Sequence, residues 1–273
     1  MNRLPTLEEA FQAARSQGRA ALMPYFTIGY PDLLTSFAIV QGIAQAGADI
    51  IELGIPFSDP LADGPTIQHS TQVALQNGVT LETCLTFVRQ LRQSGVTVPL
   101  LLMGYYNPIF SFGEERFVHL ASECGAQGLI IPDLPPEEAG GLRQACQHLG
   151  LAMIHLIAPT TPPERIRSIA EHTSGFLYVV SVTGVTGARE ELPPELVEFI
   201  QQVRAVTELP LALGFGISRP QQAVMYGRWV DGVIVGSALI EFVRRSENPI
   251  QAATAFVREF RTALESIFSA KKA

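Results

Sequence analysis

Short apolar runs alternate with amphipathic stretches along the whole chain of 273 residues. This alternation predicts a parallel sheet built from strand-then-helix units. Eight units can be counted, and several runs are apolar at every position, as strands covered on both faces are. The predicted strands are Ala21–Thr27, Asp49–Leu53, Val98–Gly104, Gly128–Ile131, Leu151–Ile157, Phe176–Ser181, Pro210–Gly214 and Gly232–Val235.

Segments with a helical period follow these runs. Eight units in a chain of this length are typical of a (β/α)8 TIM barrel, which usually has roughly 250 residues. The rival fold, an open doubly wound sheet, normally carries a glycine-rich turn after its first strand, whereas the turn here reads IGYPD. We therefore expect residues 1–273 to form a single α/β TIM-barrel domain. The predicted helices include Leu33–Ala46, Leu81–Gln93, Glu114–Glu123, Pro136–Leu149, Pro194–Val206 and Gln251–Phe268, with an extra N-terminal helix, Leu7–Ser16.

Composition excludes several classes of function. A formal net charge of −7 and a pI near 5.3 offer no basic face for nucleic acid. No stretch approaches the ~20 apolar residues of a membrane span, and the start MNRLPTLEEAF is unlike a secretion signal, so we expect a soluble cytoplasmic protein. The charged fraction of 16% is below the usual value of roughly 25%, which indicates that a partner covers part of the surface.

Several reactive groups are missing from the predicted strand ends. The only lysines, Lys271 and Lys272, lie at the end of the chain, so no strand carries an amine for a Schiff base. Neither the three widely spaced cysteines nor the five histidines have the spacing of a metal site. His155, inside the fifth predicted strand, is a minor candidate for a site residue. The chemistry must therefore come mainly from carboxylates.

The second strand end carries two such carboxylates, and the working groups of barrels of this kind sit at these ends. Glu52 lies inside the apolar run IIELGI, where burial would raise its pKa into the range useful for proton transfer. A buried ion pair is the structural alternative. Asp63 lies eleven positions later on the following loop. It precedes Gly64, and because Asp-Gly is a common turn pair, a purely structural role is open as well.

Glycines cluster after the last three predicted strands, in the runs GVTG (184–187), GFGIS (214–218) and Gly236–Ser237. Glycines let backbone N–H groups approach an anion, and a helix that starts at Ser237 would add its positive N-terminal dipole. Neighbouring glycine-bearing strand ends that lead into a helix are typical of the phosphate site of a barrel. The sequence therefore predicts a phosphorylated substrate.

The run ELGIPFSDPLADGPTIQ (52–68) resembles the α subunit family of tryptophan synthase, and the resemblance covers nearly the whole chain. Supporting matches are PYFTIGYPD (24–32), LMGYYNP (102–108), IPDLP (131–135), GVTG (184–187) and GFGIS (214–218). The resemblance implies a lyase of tryptophan biosynthesis that cleaves indole-3-glycerol phosphate to indole and glyceraldehyde 3-phosphate. It also implies an α2β2 assembly with a β subunit that carries pyridoxal phosphate and joins indole to serine, and no cofactor in this chain.

The resemblance also assigns residues, with Glu52 and Asp63 on the family's catalytic carboxylates. Glu52 would exchange protons with the ring carbon and the side-chain hydroxyl, and Asp63 would accept a hydrogen bond from the ring nitrogen. Thr186, on a mobile lid at Ser181–Glu191, would steady Asp63. The other implied positions are Gly187, Gly216, Gly236 and Ser237 for phosphate, Tyr25, Met103, Tyr105, Ile130 and Leu156 for the ring, and Tyr178 close to Glu52. Tyr25 departs from the Phe that many members carry.

Three other functions stay open. One is a barrel that closes the indole ring or isomerises a phosphoribosyl compound, because such relatives share the phosphate cradle. The second is a non-catalytic subunit that senses a phosphorylated ligand, and the third is a lyase that works without a β subunit. If a β subunit binds, we expect contacts from the loops around Asp59–Pro60, Asn107–Pro108 and Asp133–Pro135, at the mouth of the barrel.

Overall fold

Parallel strands form one continuous sheet in the computed structural model, which describes residues 3–180, 193–214 and 216–270, with side chains up to residue 266. The strand order is β5-β4-β3-β2-β1-β9-β8-β7-β6, and every pair is parallel. The strands are β1 (Ala21–Thr27), β2 (Ile51–Gly54), β3 (Leu100–Met103), β4 (Gly128–Ile130), β5 (Ala152–Ile154), β6 (Leu156–Ile157), β7 (Leu177–Val180), β8 (Leu211–Gly214) and β9 (Gly232–Val235).

The two ends of this sheet meet at His155. β5 and β6 flank this residue and form one barrel strand, which pairs with β4 through β5 and with β7 through β6. The Tyr178 N–H also donates to the His155 carbonyl at 3.1 Å, so hydrogen bonding continues across the junction. The sheet is therefore a closed barrel of eight strands. The predicted fold class is confirmed, and the open doubly wound sheet is ruled out.

Helices cover the outside of the barrel. α7 begins at Gly140 and not at the predicted Pro136, because Glu138 and Ala139 form a turn by donating to the Pro135 carbonyl. A helical segment was expected after every strand, but no bounds were predicted for α3, α5, α8 or α10. The helices are α1 (Leu7–Ser16), α2 (Leu33–Gln45), α3 (Pro65–Gln76), α4 (Leu81–Gln93), α5 (Tyr106–Phe112), α6 (Glu114–Cys124), α7 (Gly140–Leu149), α8 (Pro163–His172), α9 (Pro194–Arg204), α10 (Pro220–Tyr226), α11 (Ser237–Arg244) and α12 (Pro249–Ala270).

The predicted N-terminal helix α1 packs into the N-terminal end of the barrel. Thr6 and Glu9 form a capping box that starts the helix. Its Leu7 and Phe11 side chains are buried in the same cluster as barrel residues, with the Phe11 ring 5.6 Å from the ring of Phe176. Because apolar side chains fill this end, the open space lies at the C-terminal end of the strands.

Carboxylates tie neighbouring strands together at the filled end. Asp49 accepts the Leu22 N–H at 2.7 Å and also binds Arg19 and Arg261. Asp231 accepts the Leu211 N–H at 2.8 Å in the same way and binds two other arginines. These buried or half-buried bonds hold the register from which the strand ends project.

Candidate active site

A cavity of about 370 Å³ opens at the C-terminal end of the strands. This volume is within the range of roughly 300 to 1,000 Å³ that is usual for small-molecule sites. Its wall includes Ile67 from α3, Ile217 from the loop after β8 and Ile234 from β9. The wall also includes seven residues predicted from the sequence: Tyr25, Asp63, Met103, Tyr178, Gly216, Gly236 and Ser237.

Glu52 lies on β2, in register with Tyr25 on one side and Leu101 on the other. The side chain is fully buried, and neither carboxyl oxygen has a hydrogen-bond partner among the residues that the structure describes. The buried ion pair considered as an alternative is therefore not seen. Burial raises the pKa of Glu52 to about 8. The carboxyl is mainly protonated at neutral pH and can donate a proton.

Asp63 stands on the loop before α3, at the edge of the cavity, and is half-buried. Burial raises the pKa of its carboxyl to about 6, and a hydrogen bond with the Tyr105 hydroxyl opposes the rise. The same hydroxyl accepts the Ala62 N–H at 2.9 Å, and Gln68 Nε2 donates to the Asp63 carbonyl at 2.9 Å. Asp63 is thus the more readily ionised of the two carboxyls. Different pKa values of this kind suit one proton donor and one charged acceptor.

Two tyrosines lie along the barrel wall because glycines leave room for them. A Cβ atom on Gly54 would be 2.0 Å from the Tyr25 hydroxyl, and one on Gly214 would be 2.3 Å from the Tyr178 hydroxyl. Each glycine is on a neighbouring strand, two register positions above its tyrosine. Burial, followed by the charge of Asp63 for Tyr25 and of Glu52 for Tyr178, raises the pKa of each phenol. Both rings therefore stay uncharged beside the carboxyls.

Another part of the cavity wall consists of the loop after β8 and the start of α11. Gly216 has a positive φ of 79°, and a Cβ atom there would meet nothing within 4 Å. Gln222 Oε1 accepts the Ser218 N–H at 2.9 Å and holds this loop against α10. α11 begins at Ser237, and the first N–H groups of a helix have no partners within it. This wall can therefore bind an anion with backbone groups.

The sequence profile of the tryptophan synthase alpha chain family matches residues 11–267. The tryptophan synthase alpha chain of Chloroflexus aggregans is 52% identical over 271 residues, which are 98% of this chain and 100% of the relative. The chain belongs to the tryptophan synthase alpha chain family. It is accordingly an indole-3-glycerol phosphate lyase of tryptophan biosynthesis. The resemblance noted in the sequence, and the function that it implied, are confirmed.

Solved structures agree with this assignment. The tryptophan synthase alpha chain from Legionella pneumophila superposes with a TM-score of 0.88 at 37% identity, covering 96% of this chain and 97% of that chain. The aminoacrylate-bound tryptophan synthase from M. tuberculosis gives a TM-score of 0.86 at 33% identity, covering 94% and 98%. These likenesses cover at least 94% of this chain.

The remaining predicted residues of the alpha chain lie in different places. Tyr105 contacts Asp63, whereas Ile130 and Leu156 pack in the same apolar cluster as Tyr178 and are not in the cavity wall. Thr186, Gly187 and the predicted lid at Ser181–Glu191 lie outside the described residues.

His155 is buried away from the cavity. Burial, followed by the charges of His172 and Arg143, lowers the pKa of its imidazole to about 4. Within the described ranges, no group of three acidic, His or Cys side chains could hold a metal ion. None of the helices in these ranges is long and apolar enough to cross a bilayer.

Six wall residues and the loop-holding Gln222 were not assigned to the site from the sequence. The six that line the cavity are Gly64, Ile67, Ile217, Ser218, Ile234 and Ala238. Ile234 had a usable signal, because side chains on a strand alternate and every second position of β9 faces the interior. Ile67 had none, since the helical pattern does not say which side chain of α3 lies next to a gap.

Proposed function

We propose that this alpha chain cleaves indole-3-glycerol phosphate by proton transfer, with Glu52 as acid and base and Asp63 as the charged partner. The observation that carries the proposal is Glu52 itself, a carboxyl that is fully buried, unpaired among the described residues and mainly protonated at pH 7. A structural carboxylate would normally be paired at such a depth. Proton transfer to a bound substrate would account for a buried carboxyl that has no partner among the described residues.

The proton first moves from Glu52 to the indole carbon that bears the glycerol phosphate side chain. The ring then carries positive charge at its nitrogen, and Asp63 stabilises this charge by accepting the N–H hydrogen bond. The Glu52 carboxylate takes the proton of the adjacent side-chain hydroxyl, the carbon–carbon bond breaks, and its electrons return to the ring. Indole and an aldehyde leave, and Glu52 is protonated again. The substrate is its own electron sink, so this route uses neither a Schiff base nor a cofactor.

The phosphate would lie at the wall formed by Gly216, Gly236 and Ser237. Its charge would be stabilised by backbone N–H groups and by the positive N-terminal end of the dipole of the eight-residue helix α11. The apolar side of the cavity, with Met103 and Ile234, fits a flat aromatic ring. In the proposal Thr186 and Gly187 complete the closed site. In the proposal the ring and the phosphate thus occupy different parts of the cavity.

We further propose that this chain assembles in the cytoplasm with a β subunit that carries pyridoxal phosphate, as an α2β2 complex. Apolar side chains support a contact at the cavity mouth, where Leu61 and Phe110 are 93% and 63% exposed. Asp59 is exposed beside them, and the Phe57 ring packs on Tyr105 at 5.3 Å. An interface at this place would receive indole directly. Replacing Asp59 with lysine should weaken association with β in calorimetry, and an unchanged affinity would contradict this surface.

Indole release from indole-3-glycerol phosphate by the purified chain tests the catalytic proposal. We expect slow release by the wild type, faster release with β, and loss of release in Glu52→Gln and Asp63→Asn, both still folded by circular dichroism. Activity without any effect of β would favour a free-standing lyase. A folded wild type that binds glycerol phosphate but releases no indole in any condition would favour a sensing subunit.

A further inference from the structure

The loop that carries Asp63 is attached to helix α3. The helix begins at Pro65, and its Gln68 N–H donates to the Gly64 carbonyl at 3.0 Å. The Gln68 side chain reaches one residue further and donates to the Asp63 carbonyl at 2.9 Å. The backbone of Asp63 is therefore held by the first turn of α3. Any shift of this helix along the barrel would move the carboxyl with it.

Two buried hydroxyls attach α3 to the barrel. Thr27 Oγ1 on β1 and Ser70 Oγ on α3 are 2.7 Å apart, and both side chains are fully buried. Ser70 Oγ also lies 2.8 Å from the Ile67 carbonyl, which can only accept. The Ser70 proton is therefore bound to Ile67, and Thr27 must donate to Ser70. The Ile67 carbonyl thus determines which hydroxyl donates in the hydrogen bond between Thr27 and Ser70.

The barrel side of this pair is fixed relative to Glu52. Thr27 is in register with Gly54, two positions beyond Glu52 on β2. The Tyr25 hydroxyl lies 3.4 Å from Thr27 Oγ1, a long contact in which Thr27 can only accept, because its own proton is used. The hydroxyl pair thus joins the strand edge that carries Tyr25, next to Glu52, to the helix that holds Asp63.

We infer that the Thr27–Ser70 hydroxyl pair is a positioning device that sets Asp63 at its working distance from Glu52. Thr27 and Ser70 are positioning residues in this inference, which rests on the proposed function. Ile67 supports this inference, because its carbonyl accepts the Ser70 hydrogen bond and Ile67 also lines the cavity. Losing either hydroxyl removes the bond between β1 and α3 and loosens the start of the helix, because Ser70 then binds only the Ile67 carbonyl of its own helix, or Thr27 keeps only its long contact with Tyr25. Errors of about 1 Å in such placements can lower rates by roughly 100-fold.

Thr27→Val and Ser70→Ala each remove one hydroxyl of the pair, and Thr27→Ser keeps it. Ser36→Ala is the matched control, because Ser36 is equally buried, lies on the neighbouring helix α2 and bonds Gly29 and Leu33 away from the cavity. In indole release with saturating β, we expect Thr27→Val and Ser70→Ala to lower kcat about three- to tenfold, the rate equivalent of one buried neutral hydrogen bond. KM should stay within about twofold because the phosphate and ring walls are intact.

Thr27→Ser and Ser36→Ala should keep kcat within about twofold of the wild type. The double variant Thr27→Val/Ser70→Ala should be no slower than the slower single variant, because both remove the same bond. Equal kcat values for Ser70→Ala and Ser36→Ala, or a double variant whose losses multiply, would overturn the inference. Melting temperatures of the four single variants show whether a lower kcat simply reflects partial unfolding of the variant.

Hydrogen exchange of residues 63–70 gives a readout that does not depend on catalysis. Thr27→Val and Ser70→Ala should speed exchange in this segment, whereas Ser36→Ala should leave it unchanged. If the wild type releases no indole, the proposed function fails while the exchange result still decides the inference. Unchanged exchange in both variants would overturn it whatever the activity.

Discussion

Glu52→Gln should make the protein more stable, and the gain should depend on pH. Burial moves the pKa of Glu52 from an ordinary value of 4.5 to about 8, so between these values the folded chain binds a proton that the unfolded chain does not. Stability therefore falls as pH rises through this window. Each pKa unit corresponds to about 1.36 kcal/mol, so Glu52 destabilises the fold by roughly 3 kcal/mol at pH 7 and by less than about 1 kcal/mol at pH 5. Glutamine has nearly the same shape and does not titrate.

Urea unfolding followed by circular dichroism at pH 5, 6, 7 and 8 measures this difference. The free energy of unfolding of Glu52→Gln minus that of the wild type should rise by about 2 to 3 kcal/mol from pH 5 to pH 7. Groups that titrate alike in both proteins cancel. Glu259→Gln, on the exposed side of α12, is the control and should change stability by less than about 0.5 kcal/mol. A difference that does not vary with pH would refute the reasoning, since Glu52 would then not be held neutral by burial.

Three other predictions use the same structure. Indole release should follow a bell-shaped pH profile in kcat/KM, lost below about pH 6 as Asp63 gains a proton and above about pH 8 as Glu52 loses one; a profile flat from pH 5 to 9 would contradict both roles. Asp49→Ala removes the carboxylate that binds Arg19, Arg261 and the Leu22 N–H, so the free energy of unfolding in urea should fall by about 3 to 5 kcal/mol. A loss below about 1 kcal/mol would contradict the role of Asp49 in joining the strands. Gly54→Ala should displace the Tyr25 ring and lower kcat/KM for indole release at least about tenfold with the fold retained, and wild-type kinetics would show that the ring position does not matter.

Stability and the proposed chemistry are in conflict at Glu52. A carboxyl such as Glu52, which has no partner in the described part of the chain, is unfavourable inside a barrel, and the raised pKa that disfavours folding at neutral pH is the property that makes the group a proton donor. The strand ties at Asp49 and Asp231 lie at the opposite end of the barrel, where they can add stability without touching the cavity.

The order of strands and helices was predictable from the sequence, because hydrophobic periodicity is a local property that each element carries in its own residues. All eight barrel strands occur close to the predicted positions, and β1, β9, α1 and α4 have the predicted bounds. Glu52 stood out for the same reason, since an acidic residue inside an apolar run is visible without any structure. Bounds were not predicted for α5 and α10, which have seven residues each and so carry few repeats of the helical pattern.

The tertiary structure alone decided which of these side chains meet. Closure of the barrel at His155 sets the register between strands, and register determines that Tyr25 lies beside Glu52 and beneath Gly54. Ile130 and Leu156, expected at the ring pocket, are in register with the cavity residues Met103 and Tyr178 but are not in the cavity wall, and only the tertiary structure shows which side chain of each pair borders the open space. The contact between Thr27 and Ser70, and the lack of a partner for Glu52 among the residues that the structure describes, likewise depend on residues far apart in the chain, which local patterns do not record.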